Sequence, residues 1–454
     1  MTVTLALAEA LWDELGTALA DQCEVAGIIA ARVVEGPGGV TLLGRHVTWA
    51  SEVTYLDRRP DGLSLRSTGW VPAARAALDE GSTPMFVHTH PCGEAVFSHH
   101  DDAVDASLRA AVHRMGGDGR YVSLVVAGTQ EEPAVVGRLF IQDDATPVDK
   151  LRIVGHRIRV IVSTPGAAPP ARETFDRQIR MFGPAGQEIL AALSVAVVGA
   201  GGTGSATAEQ LARLGVGTIT IVDDDIVTDP TLTRGYGMTV ADIGRPKADV
   251  LAEHLRKIGL PTTIASVTVP IQNAVARYAL GSADIAFSCV DGHGARLVLN
   301  RWAYAHLAPV VDMAVLVSAD AAAVTGVDGR VTWLAPSTAC LLCRGRLDPA
   351  LAYAEMLDPD ERKRLAGEGY AREADTRQPA VVTLTSLVAS LATTELLHRL
   401  FNLADPAPTE ILALIQQREL RRNRLSQRPG CFCSDPNFLA RGTQAPHLDL
   451  MWPT

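Results

Sequence analysis

Residues 194–225 read SVAVVGAGGTGSATAEQLARLGVGTITIVDDD. An apolar run, a glycine-rich turn, a helix-forming stretch and a second apolar run ending in acid predict strand, turn, helix and strand. Gly199, Gly201 and Gly204 have the dinucleotide spacing, and Asp223 lies 22 residues beyond Gly201. Glycines let the backbone approach phosphate at a helix N-terminus, and an acid after the second strand takes ribose hydroxyls. Taken alone, the pattern fits an NAD-binding oxidoreductase as well as any other nucleotide fold. Outward from it the alternation continues, with strands at 194–198, 218–222 and 284–290 and helices at 203–214 and 246–258. That order defines an α/β class with a Rossmann-like, doubly wound parallel sheet.

Three further residues change the chemistry. Arg234, Lys247 in GRPKAD and Asp291 in CVDGHGAR follow at turns and strand ends. Each alone reads as a surface charge. Together, two cations and a carboxylate suit a triphosphate better than a hydride donor, because cations neutralise developing charge and an Asp can hold magnesium. The stretch from Phe175 to Cys433 resembles the ThiF/MoeB/HesA family of ubiquitin-activating-type adenylating enzymes. The resemblance rests on FDRQIRMFGPAGQEIL, GAGGTG, the acid-ended strand, Arg234, the PKA segment, Asp291 with Arg296 and Asn300, and two cysteine pairs. It implies that Gly201 and Gly202 contact phosphate, Asp223 binds ribose, Arg234 and Lys247 bind the phosphates of ATP, and Asp291 holds magnesium. It also implies a homodimer in which Arg177 reaches the partner's site, and an acyl-adenylate formed on the C-terminal glycine of a ubiquitin-like protein. The sequence departs from the family at Thr231, where Asn is usual, and at Gly235. It also departs at 345–380, where thioester-forming members carry a Cys and this chain has none. The expectation is adenylation followed by direct transfer to another nucleophile, with Cys289 an inert thiol.

The seven cysteines are too few for a disulfide scaffold, and four form close pairs, Cys340/Cys343 and Cys431/Cys433. Four thiolates in two pairs suit a closed structural zinc site. The basic run RELRRNR at 418–424 reads as a solvated strand.

Upstream of the proline-rich linker STPGAAPPARE, residues 163–173, lies a separate unit of mixed strands and helices. It reads as an amphipathic helix near 5–20, strands at 24–34, 40–43, 84–88, 121–127 and 135–141, and a helix near 101–115. Within it, residues 86–101 read FVHTHPCGEAVFSHHD. His88 and His90 end an apolar strand and share a face, and Asp101 opens the following helix. Two imidazoles and a carboxylate leave the open position a catalytic zinc needs. A His-x-His alone is common, but His-x-His-Pro, six residues, Ser, two residues, Asp is far more specific. The string resembles the metal-binding motif of the JAMM (JAB/MPN) metalloproteases, over roughly residues 1–160. The resemblance implies that His88, His90 and Asp101 hold zinc, Ser98 assists the oxyanion, and Glu24 is the acid–base in cleavage at the C-terminus of a ubiquitin-like protein. His99 and His100 read as solvent-facing.

The expected organisation is therefore an α+β JAMM-like domain at 1–162, the linker at 163–173, an adenylating domain with structural zinc at 174–434, and a tail at 435–454. One head would expose the glycine that the other activates, for conjugation through a conjugating enzyme or for sulfur transfer. The alternative of another class is an NAD-binding oxidoreductase with an inactive scaffold. The net charge of −10 argues against nucleic-acid partners. The N-terminus lacks a basic start, and the longest uncharged run, 378–394, is interrupted by Thr and Ser and reads as a buried helix. These features suggest a cytoplasmic, membrane-free protein.

Overall fold

The computed structural model describes residues 1–163, 173–319, 324–357, 360–361, 364, 380–403, 408–444, 448 and 450. The chain divides into two units, Met1–Val154 with Val160–Thr164 and Ala440–Gly442, and the remainder. The expected linker lies outside the described residues except at its two ends.

In the first unit, strands β1 (Thr2–Ala8), β2 (Ala26–Gly36), β3 (Gly39–Trp49), β6 (Thr83–His90), β7 (Arg120–Gly128), β8 (Pro133–Ile141), β9 (Asp144–Pro147), β10 (Lys150–Val154) and β11 (Ile158–Val162) form one sheet. A separate hairpin joins β4 (Tyr55–Arg59) to β5 (Gly62–Leu65). The sheet order is β11-β10-β1-β3-β2-β6-β7-β8-β9, with parallel and antiparallel neighbours. Helix α1 (Glu9–Ala18) packs Leu11, Trp12 and Leu15 into one core. Helices α2 (Val71–Asp79) and α3 (His99–Arg114) bury Ala74, Leu108 and Val112 in another. The expected helix near 5–20 is only half right. Thr2–Ala8 is an inner strand hydrogen-bonded on both sides, and residues 3–8 are buried, so the alternation that would mark a strand is absent.

In the second unit, β12 (Ser194–Val198), β13 (Thr218–Val222), β14 (Thr263–Val267), β15 (Ile285–Ser288), β16 (Val310–Ala319), β17 (Val324–Leu334), β18 (Glu410–Leu414) and β19 (Glu419–Asn423) run in the order β14-β13-β12-β15-β16-β17-β18-β19. The first five form the expected parallel sheet, and the last three extend it antiparallel. Chain direction across the sheet reverses between β12 and β15, where open α/β sheets place ligands. The helices are α4 (Asp176–Ala192), α5 (Gly202–Arg213), α6 (Asp229–Leu232), α7 (Lys247–Lys257), α8 (Ala274–Leu280), α9 (His293–Ala305), α10 (Pro349–Met356) and α11 (Val382–Phe401). β19, within the basic run, is exposed from Glu419 to Arg422, with Asn423 half-buried. Much of 345–378 lies outside the described residues; α10 is the part of it that forms a described helix. Phe438 and Leu448, in the supposed tail, are buried in this unit's core. Among the described residues no helix is long and apolar enough to cross a membrane.

Candidate functional sites

A cavity of about 750 Å³ lies at the carboxyl ends of β12, β13, β15 and β16. Gly199, at φ 95°, turns the chain there, and a Cβ at Gly204 would sit 1.7 Å from the Gly199 oxygen. The turn and α5 can therefore pack only as glycines. Around Gly201 the space is open, so the N-terminus of α5 faces the cavity with its backbone uncovered. The Asp223 carboxylate accepts from the amides of Ala200 at 2.5 Å and Asp225 at 2.8 Å. Burial raises its pKa, and those bonds with Lys247 oppose the rise. Lys247, at the start of α7, donates to Asp225 at 2.6 Å. Arg234 and Asp291 complete the wall. The structure thus brings together Gly199, Gly201, Gly202, Asp223, Arg234, Lys247 and Asp291. Arg177 is not among them, being exposed on α4 and outside the cavity lining. Thr231 turns away as well. It is buried, and its hydroxyl accepts from the Thr228 amide at 3.2 Å, which closes the capping box of α6. Cys289 borders the cavity, but burial pushes its thiol far above the ordinary range, which removes the thiolate a nucleophile requires.

Sequence reading missed the floor. Asp312 on β16 has no exposed surface and accepts from Ser288 Oγ at 2.9 Å, Arg296 Nη1 at 3.1 Å and Arg330 Nη2 at 2.7 Å. Arg296 also donates to the carbonyls of Val290 at 2.6 Å and Met313 at 2.9 Å, which fixes the loop carrying Asp291. On the rim, Glu355 of α10 accepts from the Gly294 amide at 2.7 Å. An Asp inside VVDMAV carries no motif; only its burial betrays it.

The four cysteines converge although the pairs lie some ninety residues apart. Cys340 and Cys431 sulfurs stand 3.6 Å apart, as do those of Cys343 and Cys433, and all four lie within 4.8 Å of one another. Sulfurs at the corners of a zinc tetrahedron are about 3.8 Å apart, so the donor set fits that ion.

In the first unit, His88 Nε2 lies 3.1 Å from His90 Nε2 and 3.1 Å from Asp101 Oδ1. Donor atoms around tetrahedral zinc are separated by about 3.4 Å, and these three can converge on one such ion. β6 places both histidines on the same side, and Ser98 caps α3 so that its first turn presents Asp101. Burial raises Asp101, but hydrogen bonds from His88 and Ser98 outweigh it and hold the carboxylate below its usual range. Ser98 donates both its amide, at 2.6 Å, and its hydroxyl, at 2.8 Å, to Asp101 Oδ2. The Glu24 carboxylate stands 3.8 Å from His90 Nε2, and burial pushes its pKa up to about 7. It lies two residues before β2 begins, not inside the strand as expected, and is held by its amide's bond to the Arg59 carbonyl. His99 and His100 are exposed.

The glycine turn, the acid after β13 and the cations at the switch point define the second unit as a nucleotide-binding α/β unit. Residues 175–433, more than half the chain, match the ThiF family, and the chain belongs to that family. The SAMP-activating enzyme E1 of Haloferax volcanii is 29% identical over 173 residues, 38% of this chain and 61% of that protein. The molybdopterin-synthase adenylyltransferase of Escherichia coli is 32% identical over 144 residues, 31% of this chain and 58% of that protein. The chain therefore spans under two thirds of the length of these relatives. The crystal structure of E. coli MccB overlaps 63% of this chain and 76% of its own, with a TM-score of 0.45 at 16% identity.

Proposed function

We propose that the second unit adenylates the C-terminal carboxylate of a ubiquitin-like or sulfur-carrier protein. The observation that carries this reading is the convergence of Asp223, Arg234, Lys247 and Asp291 on one cavity beside the N-terminus of α5. The relatives above support it through their names, one an activating enzyme and the other an adenylyltransferase. Asp223 takes the ribose, while the α5 N-terminus with Arg234 and Lys247 holds phosphate oxygens. Asp291 would hold magnesium, which when bound would supply neutralisation of phosphate charge. A carboxylate oxygen of the carrier attacks the α-phosphorus, its bond to the β-phosphate oxygen breaks, and pyrophosphate leaves with the electron pair. With Cys289 kept as a neutral thiol, the acyl group passes to an external nucleophile. That nucleophile is a conjugating enzyme or a sulfur donor. Arg177, exposed on α4, is available to complete the site of a second copy in a homodimer. The four cysteines hold a structural zinc that ties residues 340–343 to 431–433.

We further propose that the first unit is a zinc-dependent hydrolase acting on the same class of C-terminus. Zinc held by His88, His90 and Asp101 would supply an acidified water. Glu24, poised near neutrality, takes the proton and returns it to the leaving amine. The Ser98 hydroxyl, which donates to Asp101 in the resting arrangement, would turn its one proton to the developing oxyanion.

The two activities are separable. Lys247→Ala abolishes release of AMP and pyrophosphate from ATP and leaves cleavage of a carrier fusion intact, and Asp101→Asn does the reverse. Loss of both activities in either variant, or neither activity in the native chain, overturns the reading.

A further inference from the structure

The buried cluster under the cavity has a charge imbalance. Arg296 and Arg330 share one carboxylate, Asp312, and all three are under one tenth exposed. Arg296 is fully engaged, with Asp312 and two backbone carbonyls as acceptors. Arg330 is not. Its Nη2 bonds Asp312, but its Nε is buried with no hydrogen-bond partner, and the residue lines the cavity. A buried cation with an unpaired donor is costly unless something anionic lies beside it.

Register places this donor relative to the nucleotide. Val198, Ser288 and Asp312 lie in one row across β12, β15 and β16, and Arg330 pairs with Ala314, two residues further toward the cavity. The glycine turn and α5 follow β12, three strands from β17, a lateral distance of about 14 Å. Asp312 holds the guanidinium over β16, next to β15, whose following loop carries Asp291. Arg330 thus faces the side of the cavity away from Asp223, beyond the cations assigned to phosphate.

The geometry points to Arg330 as the anchor for the carboxylate of the acyl substrate, the group that must lie beside the α-phosphorus before adenylation. This inference rests on the adenylating reading above. The planar fork of an arginine suits a carboxylate, and Asp312 fixes the fork's orientation.

The test uses the full chain with the non-hydrolysable nucleotide AMPCPP and magnesium. The probes are a fluorescent octapeptide ending in Gly-Gly with a free carboxylate and the same peptide as its C-terminal amide. The native chain binds the acid at least tenfold more tightly than the amide. Arg330→Met binds the two equally, and AMPCPP affinity is unchanged. Arg330→Lys, which keeps a buried charge beside Asp312, loses most of the preference while melting like the native chain. Retention of the full preference in Arg330→Lys or in Arg330→Met overturns the assignment. So does a tenfold loss of AMPCPP affinity in folded Arg330→Lys, which would put the guanidinium on nucleotide phosphate. A native chain that does not bind AMPCPP overturns the adenylating reading itself.

Discussion

The glycine turn yields a pair of substitutions with opposite consequences. At Gly204 an added Cβ would lie 1.7 Å from the Gly199 oxygen, a backbone atom. Carbon and oxygen at contact are about 3.3 Å apart, so the turn and α5 must separate by about 1.5 Å. Overpacking of that kind costs about 3 kcal/mol. At about 2 °C per kcal/mol for a unit of this size, Gly204→Ala lowers Tm by about 6 °C. At Gly201 the backbone has φ −74° and nothing lies within 4 Å of an added Cβ. Gly201→Ala therefore keeps Tm within about 1 °C of the native value. Its methyl group nonetheless stands where phosphate must approach the α5 amides, and ATP affinity falls about tenfold. Differential scanning calorimetry and titration with Mg·ATP separate the two effects. A native melting temperature in Gly204→Ala would refute the packing argument, and native ATP affinity in Gly201→Ala would refute the placement of phosphate.

Arg296→Met removes one partner of the buried Asp312 and two backbone contacts, and destabilises the unit by about 3 kcal/mol. The adenylation kcat falls more than ATP affinity, because the loop bearing Asp291 loosens; rapid-quench kinetics beside ATP titration check this. Cys343→Ser releases one zinc per chain, measured by atomic emission, and lowers Tm, since the ion joins segments distant in sequence. Glu24→Gln retains the first unit's zinc but slows cleavage of a carrier fusion about a hundredfold or more. Unchanged cleavage would remove Glu24 from the acid–base role.

The parts of the molecule that were legible in the sequence are those where local chemistry is strict. The turn at 199–204 needs glycine for steric reasons, and Asp223 must follow its strand, so both could be placed from spacing alone. His88, His90 and Asp101 were legible because a strand and a capped helix bring them together over a short stretch. The cysteine pairs were legible as chemistry, not as geometry. What stayed hidden depends on pairing between distant segments. Thr2–Ala8 is rich in helix-forming Leu and Ala, and only its place between β10 and β3 makes it a strand. Glycines and Asp328 interrupt any alternation in β17, whose partner β18 lies some eighty residues downstream. Asp312 and Arg330 find each other only after β16 and β17 pair. Thr231 differs from the residue the family usually has, and its hydroxyl is committed to the Thr228 amide.

The most direct measurement is exchange of labelled pyrophosphate into ATP by the full chain. It would be run with and without a small carrier protein ending in Gly-Gly. The account predicts exchange that requires the carrier's free carboxylate and disappears in Lys247→Ala and Asp291→Asn. Absence of exchange with any such carrier, together with tight binding of NAD in place of ATP, would contradict it.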